Sequence, residues 1–179
     1  KHLKREEDCL SIKEGKLVEK KRKKFKTRLD QRIRGISPYK ISSSKSGSSS
    51  SSIYINHDKH DEWSCFRTFQ QTYNRNKRNS ESSDDNKIME LAFKEFFDKE
   101  MKYHLEYKNK FETGKWTDDI FGVWAATAAN NYIYMFDEIY KFLENDEKDI
   151  INRVAGNNAK QLRGLLPDFK QKVYNAKRK

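Results

Sequence analysis

The stretch TDDIFGVWAATAANNYIYMFDEIYKFLE, Thr117–Glu144, limits the possible folds more than any other part of the chain, because it runs 28 residues without a proline. Its large apolar positions fall at Ile120, Trp124, Ala128, Met135, Ile139 and Leu143, with Phe121, Tyr132 and Phe136 beside them. Steps of three and four predict one face of an α-helix. Thr127, Asn130, Tyr134, Asp137 and Lys141 fall on the opposite face. Thr117 is a candidate N-cap, and Asp118 and Asp119 sit where the helix dipole favours negative charge. The one glycine, Gly122, lies in the first turns. Such a helix would run about 40 Å, enough for the spine of a small bundle.

The rest of the chain reads as helices placed around that spine. In the first segment, Leu10, Leu17 or Val18, Phe25, Leu29, Ile33 and Ile36 recur near three, four and seven. They predict an amphipathic helix over about Ser11–Arg34, ending before Gly35, with a thin apolar stripe that needs a partner surface. Next come ISPYKISSSKSGSSSSS, whose serine runs bury nothing and read as a flexible tether. Beyond it, Ile53, Tyr54 and Ile55 form a short apolar touch-down. His60 or Asp61 can cap a helix in which Trp63, Phe66, Phe69 or Gln70, and Tyr73 share a face. Ser83 or Asp84 can start another, reaching about Phe111, with Ile88, Met89, Ala92, Phe93, Phe96, Phe97, Met101 and Leu105 on one side. After the spine, Asn145–Glu147 turn the chain. Ile150, Ile151 and Val154 belong to a short helix ended by Gly156 and Asn157, and Pro167 opens a last helix with Phe169, Val173 and Tyr174. No strand pattern or internal repeat is present in the sequence. The expectation is an all-α protein: a basic, partly helical arm (1–36), a Ser-rich linker (37–52) and a bundle of four or five helices (53–179).

Charge matters once it is located. The net charge is +11 over 179 residues. Lys1–Lys40 hold 15 basic and 6 acidic residues, Ile41–Ser80 hold 6 and 3, and Glu81–Lys179 hold 17 and 18. The excess belongs to the first 80 residues, which suggests a basic arm on a neutral body. Two cysteines, Cys9 and Cys65, cannot form a dense disulfide framework, so reduced thiols are the default. No run of 18 apolar residues occurs, so no transmembrane segment is expected. The chain begins at Lys1 rather than Met, reads as a fragment or processed form, and leaves an upstream targeting signal open.

The densest chemical signal is KKRKKFKTR, with seven basic side chains in nine residues: Lys20, Lys21, Arg22, Lys23, Lys24, Lys26 and Arg28. Lys21-Arg22-Lys23-Lys24 has the form of a nuclear import signal. The same groups could neutralise nucleic-acid phosphates or lie on an anionic membrane with Phe25 as anchor, against the alternative of a solvated charged helix. No zinc-finger, RRM or helix-turn-helix pattern accompanies them. HDKHDEW, His57–Trp63, gathers His57, His60, Asp58 and Asp61, with Cys65 near. A metal-dependent hydrolase there would need further ligands on other helices, where only His104 and scattered acids are offered. Asp61 as a helix cap is the simpler reading, and no metal or cofactor site is expected. Cys65, next to Phe66 on an amphipathic helix, reads as packed rather than nucleophilic. Trp116, Tyr132 and Tyr134 read as core or rim, with partial exposure and a binding role as the alternative. Lys77-Arg78-Asn79-Ser80 suits a basophilic kinase and Ser82 an acidophilic one. Phosphate on Ser82 or Ser83 would sit near a helix start.

Lys115-Trp116 followed by Val123-Trp124-Ala125-Ala126 resembles the tryptophan-bearing helix of erythrocyte-adhesion modules of malaria parasites. The likeness covers about a dozen residues, Lys115–Ala126, and lacks the cysteines that staple those modules, so no site residue is carried over.

Taken together, the sequence points to a non-enzymatic helical protein-interaction module. Its basic arm would serve nucleic acid, another polyanion or nuclear import, and Trp116 with the polar face Asn130, Tyr134, Asp137 and Lys141 would be the candidate protein contact. The alternative is a helical adhesion or receptor-binding domain of a secreted or exported protein. An intracellular or nuclear location follows from the first reading, and an extracellular one from the second.

Overall fold

The computed structural model describes residues 25–37, 61–115 and 117–178. The chain divides into two compact units, Lys1–Asn56 and His57–Lys179. In the first, helix α1 spans residues 25–36 and buries Phe25, Leu29 and Ile33, spaced by four on one face. It runs through Gly35, where the sequence led us to expect an end. The stop falls at Ser37, the residue before Pro38, where the proline ring disfavours helical backbone. The expected helix upstream of residue 25 and the Ser-rich tether lie outside the described residues.

The described part of the second unit is all-α. Helix α2 (Glu62–Asn79) starts where Asp61 Oδ1 accepts from the Ser64 backbone N–H at 2.7 Å. Helix α3 (Asp85–Glu112) is capped by Asp84, which accepts from Asn86 N–H at 3.0 Å. Each cap satisfies an otherwise orphaned helix donor. Helix α4 (Asp118–Phe142) follows Thr117, whose extended backbone starts the helix without a side-chain cap bond. Helices α5 (Asn145–Ile151) and α6 (Asn157–Ala176) are joined by a π-helical segment, Asn152–Gly156. Helix α4 packs mainly along α6 and α3, and α2 packs on α3.

The core is aromatic, as the periodicity of α2 and α3 implies. Phe69 stacks on Phe93 at 5.1 Å and meets Phe96 edge-on. Phe96 meets Phe97, which in turn contacts Tyr132 and Phe136 of α4. Edge and offset contacts of this kind add to the burial of the rings themselves.

Three expectations need correction. First, Ile120 and Trp124 are surface residues, each more than two-fifths exposed. The first half of α4 instead turns Gly122, Ala125, Ala126 and Ala129 inward. Gly122 lies against α6 so closely that an added Cβ would meet Lys172 Cβ at 2.8 Å, with Phe169 O and Val173 N at 3.6 Å. Close approach of two backbones replaces large side chains here, and periodicity of large residues does not report it.

Second, Leu105 is 56% exposed, and the inward position at that level of α3 belongs to His104. His104 is seven residues after Phe97, two turns along the same face, whereas Leu105 has drifted past it.

Third, the helix expected to end at Gly156–Asn157 continues to Ala176, straight through Pro167. Pro167 and Arg163 are both exposed, so the Arg163 carbonyl that loses its helical donor can turn to water. Burial of Ala155, Ala159, Leu162 and Phe169 on one side holds the helix across these breakers.

The π segment is bound from α4. The Tyr132 hydroxyl, fully buried, donates to the Ala155 carbonyl at 3.4 Å. Burial pushes the Tyr132 phenol up to about 12, while a hydrogen bond with Asn158 pulls the other way, so the group is a neutral donor across ordinary pH. Tyr132→Phe should remove this bond from α4 to the π segment and cost about 1–2 kcal/mol. The expected result is a lower urea midpoint with an unchanged denaturant slope; an unchanged midpoint would show that the π segment does not depend on this bond.

Candidate functional site

Three helices of the second unit meet around a cleft of about 410 Å³, open to solvent. Helix α2 contributes Thr68, α3 contributes Lys99, Glu100 and Tyr103, and α4 contributes Trp124, Thr127, Ala128 and Asn131. Trp124 (43% exposed) and Tyr103 (46% exposed) bring the large apolar area, and Thr68, Thr127 and Asn131 supply uncharged polar atoms. Thr127 hydroxyl donates to the Val123 carbonyl at 2.9 Å, so its oxygen remains an acceptor toward the cleft. Lys99 and Glu100 give the rim both signs of charge. The cleft offers an aromatic surface beside hydrogen-bonding groups, the composition of a contact site.

Trp124 reaches this cleft because the small residues of α4 face α6. That turn moves the tryptophan off the core and toward α3. The sequence reading placed it inside and did not single out Tyr103, Lys99, Glu100, Thr68 or Asn131. The only available signal was the run Gly122, Ala125, Ala126, Ala129, which competes with Ile120 and Trp124 for the buried side.

The proposed protein-contact residues are divided by the fold. Asn130 and Lys141 are exposed, and Lys141 pairs with Glu138 at 3.1 Å. Asp137 pairs with Arg163 of α6, so it faces a neighbouring helix. Tyr134 is half-buried beside the start of α2; burial raises its phenol, with Glu138, Cys65 and Asp61 adding to the effect. Tyr132 is core, in line with the core-or-rim reading of the sequence and against the alternative of partial exposure. Trp116 lies outside the described residues. So do His57, Asp58, His60 and Lys20–Lys24. Of the basic cluster, Lys26 is exposed on α1 and the Arg28 guanidinium lies 5.9 Å from the Phe25 ring.

Ser80, Ser82 and Ser83 form the connection from α2 to α3. Ser80 Oγ accepts from Ser82 N–H at 3.1 Å, and Ser82 Oγ accepts from Asp84 N–H at 3.2 Å. Ser83 is exposed. Asp84 and Asp85 already occupy the start of α3, so a phosphate on Ser82 or Ser83 would meet their charge as well as the helix dipole.

Cys65 is buried, and burial, with Glu138, Glu100 and Asp61 behind it, pushes its thiol up to about 12. It is a packed thiol and a poor nucleophile. Glu144, Asp146 and Glu147 bring their carboxylates within 4.8 Å at the start of α5, where the helix dipole offsets their mutual repulsion.

His104 packs on Phe169 at 6.0 Å, and its Nδ1 is buried with no hydrogen-bond partner among the described residues. Burial, then the Lys108 ammonium, lowers its pKa below 6.5. The folded chain therefore resists a proton that the unfolded chain accepts. The stability tied to neutral His104 is fully present above pH 6.5 and is lost as pH falls through that value toward the lower folded-state pKa. His104→Leu should be neutral or stabilising at pH 7.5, because it removes an unsatisfied polar atom. It should also flatten the drop in urea midpoint between pH 7 and 5. An equal drop in both proteins would assign that acid sensitivity to other groups.

Among the described residues no helix is long and apolar enough to cross a membrane. No known protein family, curated protein or solved structure matches the chain.

Proposed function

We propose that this chain is a non-enzymatic helical protein-interaction module whose basic segment, Lys20–Arg28, adds affinity for nucleic acid or another polyanion or directs nuclear import. The observation that carries the protein-contact part is the cleft with Trp124 and Tyr103 both open to solvent. Tryptophan and tyrosine dominate the energetics of protein interfaces when a partner covers them. At about 410 Å³ the cleft suits one or two side chains of a partner and is too small for a whole helix. The occupant it fits is a peptide segment presenting a large apolar residue beside an acidic one, opposite the exposed Lys99. A basic segment joined through the serine-rich stretch would raise the local concentration of either contact once the other is made.

The test is capture by the immobilised full chain, with nuclease treatment, followed by the same experiment on Trp124→Ala and Tyr103→Ala. Both positions are exposed, so the variants should fold. A discrete set of proteins retained by the native chain and lost from both variants supports the reading; retention that ignores both substitutions rejects this cleft as the contact. For the basic segment, neutralising Lys20–Arg28 should weaken polyanion binding and reduce its salt dependence. An unchanged salt slope removes that part of the proposal. The adhesion alternative would use the same exposed Trp124 and requires a secretory signal upstream in the full-length protein.

A further inference from the structure

The second unit is not uniformly neutral. Asn157–Lys179 contain seven basic residues against one acidic, a net of +6, while 81–156 contain ten against seventeen, a net of −7. The balance found over the whole half conceals a basic helix placed on an acidic body. Because α6 runs unbroken through Pro167, its charges fall into register. Lys160, Arg163, Pro167, Lys170 and Tyr174 follow at steps of three and four along α6, Lys177 and Arg178 come just past its end, and all are exposed. The large buried side chains of α6, Leu162 and Phe169, lie on another side.

We infer that this face of α6 is a binding surface for single-stranded nucleic acid. Cations at 160, 163 and 170, one to two turns apart on α6, with Lys177 and Arg178 just past its end, form a row that matches a chain of phosphates better than a single anion. Of these cations, Arg163 is paired, with Asp137 of α4, and Asp168, the one acid of α6, stands off the stripe. Within the stripe Tyr174 is 54% exposed, and the Arg178 guanidinium lies 5.3 Å from its ring centroid. An exposed aromatic ring flanked by an arginine inside a basic track is the arrangement on which unpaired bases stack. A duplex, whose bases are already stacked, would use the lysines and leave Tyr174 idle. An anionic membrane would ask for an apolar wedge, and this face offers only one aromatic residue. The inference shares its ligand class with the polyanion part of the proposed function and does not depend on the Lys20–Arg28 segment.

The experiment is fluorescence anisotropy of a labelled oligo-deoxythymidylate and an oligo-uridylate with the full chain between 50 and 200 mM salt. Three variants accompany it: the triple Lys170→Glu/Lys177→Glu/Arg178→Glu, Tyr174→Ala, and a chain with Lys20–Arg28 neutralised. The triple should weaken binding at least about tenfold and reduce the log–log salt slope by about 2, at roughly 0.7 per phosphate released. Tyr174→Ala should weaken binding about 5- to 100-fold with the slope unchanged. The neutralised-arm chain should keep stripe-dependent binding. An unaffected triple variant, loss of all binding with the arm alone, an inert Tyr174→Ala, or stripe-dependent binding to phosphatidylserine vesicles in place of the oligonucleotides would each overturn the inference. An arm variant with native affinity and slope would reject the arm while leaving α6 in place.

Discussion

Gly122→Leu is expected to destabilise the second unit by about 2–3 kcal/mol, because it inserts a side chain where α4 and α6 already touch. A Cβ alone would approach Lys172 Cβ at 2.8 Å. That atom belongs to the stem of the lysine and cannot swing aside without moving α6. The stem is further held by its head, since the Lys172 ammonium lies 5.6 Å from the Phe121 ring and 5.9 Å from that of Phe111. Gly122→Ala tests the same contact with two opposing terms. Alanine gains about 1 kcal/mol of helix propensity over glycine, and overpacking costs about 1–3 kcal/mol. The alanine variant should therefore be neutral to moderately destabilised, and the leucine variant plainly worse. A cycle with Lys172→Gly isolates the steric part: removing the opposing Cβ should recover much of what Gly122→Ala loses. If Gly122→Ala proves stabilising by the full propensity gain, α4 and α6 stand further apart than described.

The same crossing explains what could and could not be read from the sequence. The caps at Asp61 and Asp84 and the buried faces of α2 and the first half of α3 follow from local rules. Capping residues precede periodic runs of Phe, Tyr, Ile and Met, and no competing face exists. In α4 two faces compete. Ile120 and Trp124 carry more apolar area than Gly122, Ala125 and Ala129, yet the small residues win because they let a second helix approach. That outcome depends on α6, about 40–50 residues away along the chain, and no window on α4 contains it. Gly156 and Pro167 misled for the same reason: each is a local breaker overruled by apolar residues on both sides that pack as one helix. The cleft was invisible because its lining comes from three helices with no shared motif, and its tryptophan was assigned to the core. The charge of α6 was legible by composition but hidden by averaging it with an acidic neighbour.

Phe97→Ala should be the most damaging single truncation, at about 3–5 kcal/mol. Phe97 is fully buried at the point where the aromatic chain passes from α3 to α4, with Phe96 at 5.1 Å, Tyr132 at 5.2 Å and Phe136 at 6.1 Å. Removing it opens a cavity lined by rings that have no flexible atoms with which to fill the space. Phe97→Leu keeps most of the apolar volume and should cost far less, about 1–1.5 kcal/mol. Chemical denaturation separates the two outcomes, and a cost under about 1 kcal/mol for the alanine variant would mean the core collapses around the gap. Two couplings sharpen the test. Tyr132→Phe combined with Phe97→Ala should cost less than the sum of the single changes, because a tyrosine freed from its neighbouring ring no longer holds its hydroxyl against Ala155. The cleft should respond as well: Lys99, Glu100 and Tyr103 follow Phe97 on α3, and Trp124, Thr127 and Asn131 precede or adjoin Tyr132 on α4. With Trp63 and Trp116 replaced by Phe, and under conditions where Phe97→Ala remains folded, Trp124 fluorescence should shift if the spacing of α3 and α4 sets its surroundings. An unshifted spectrum in a destabilised but folded variant would show that the cleft is held by its own contacts, independent of the aromatic core beneath it.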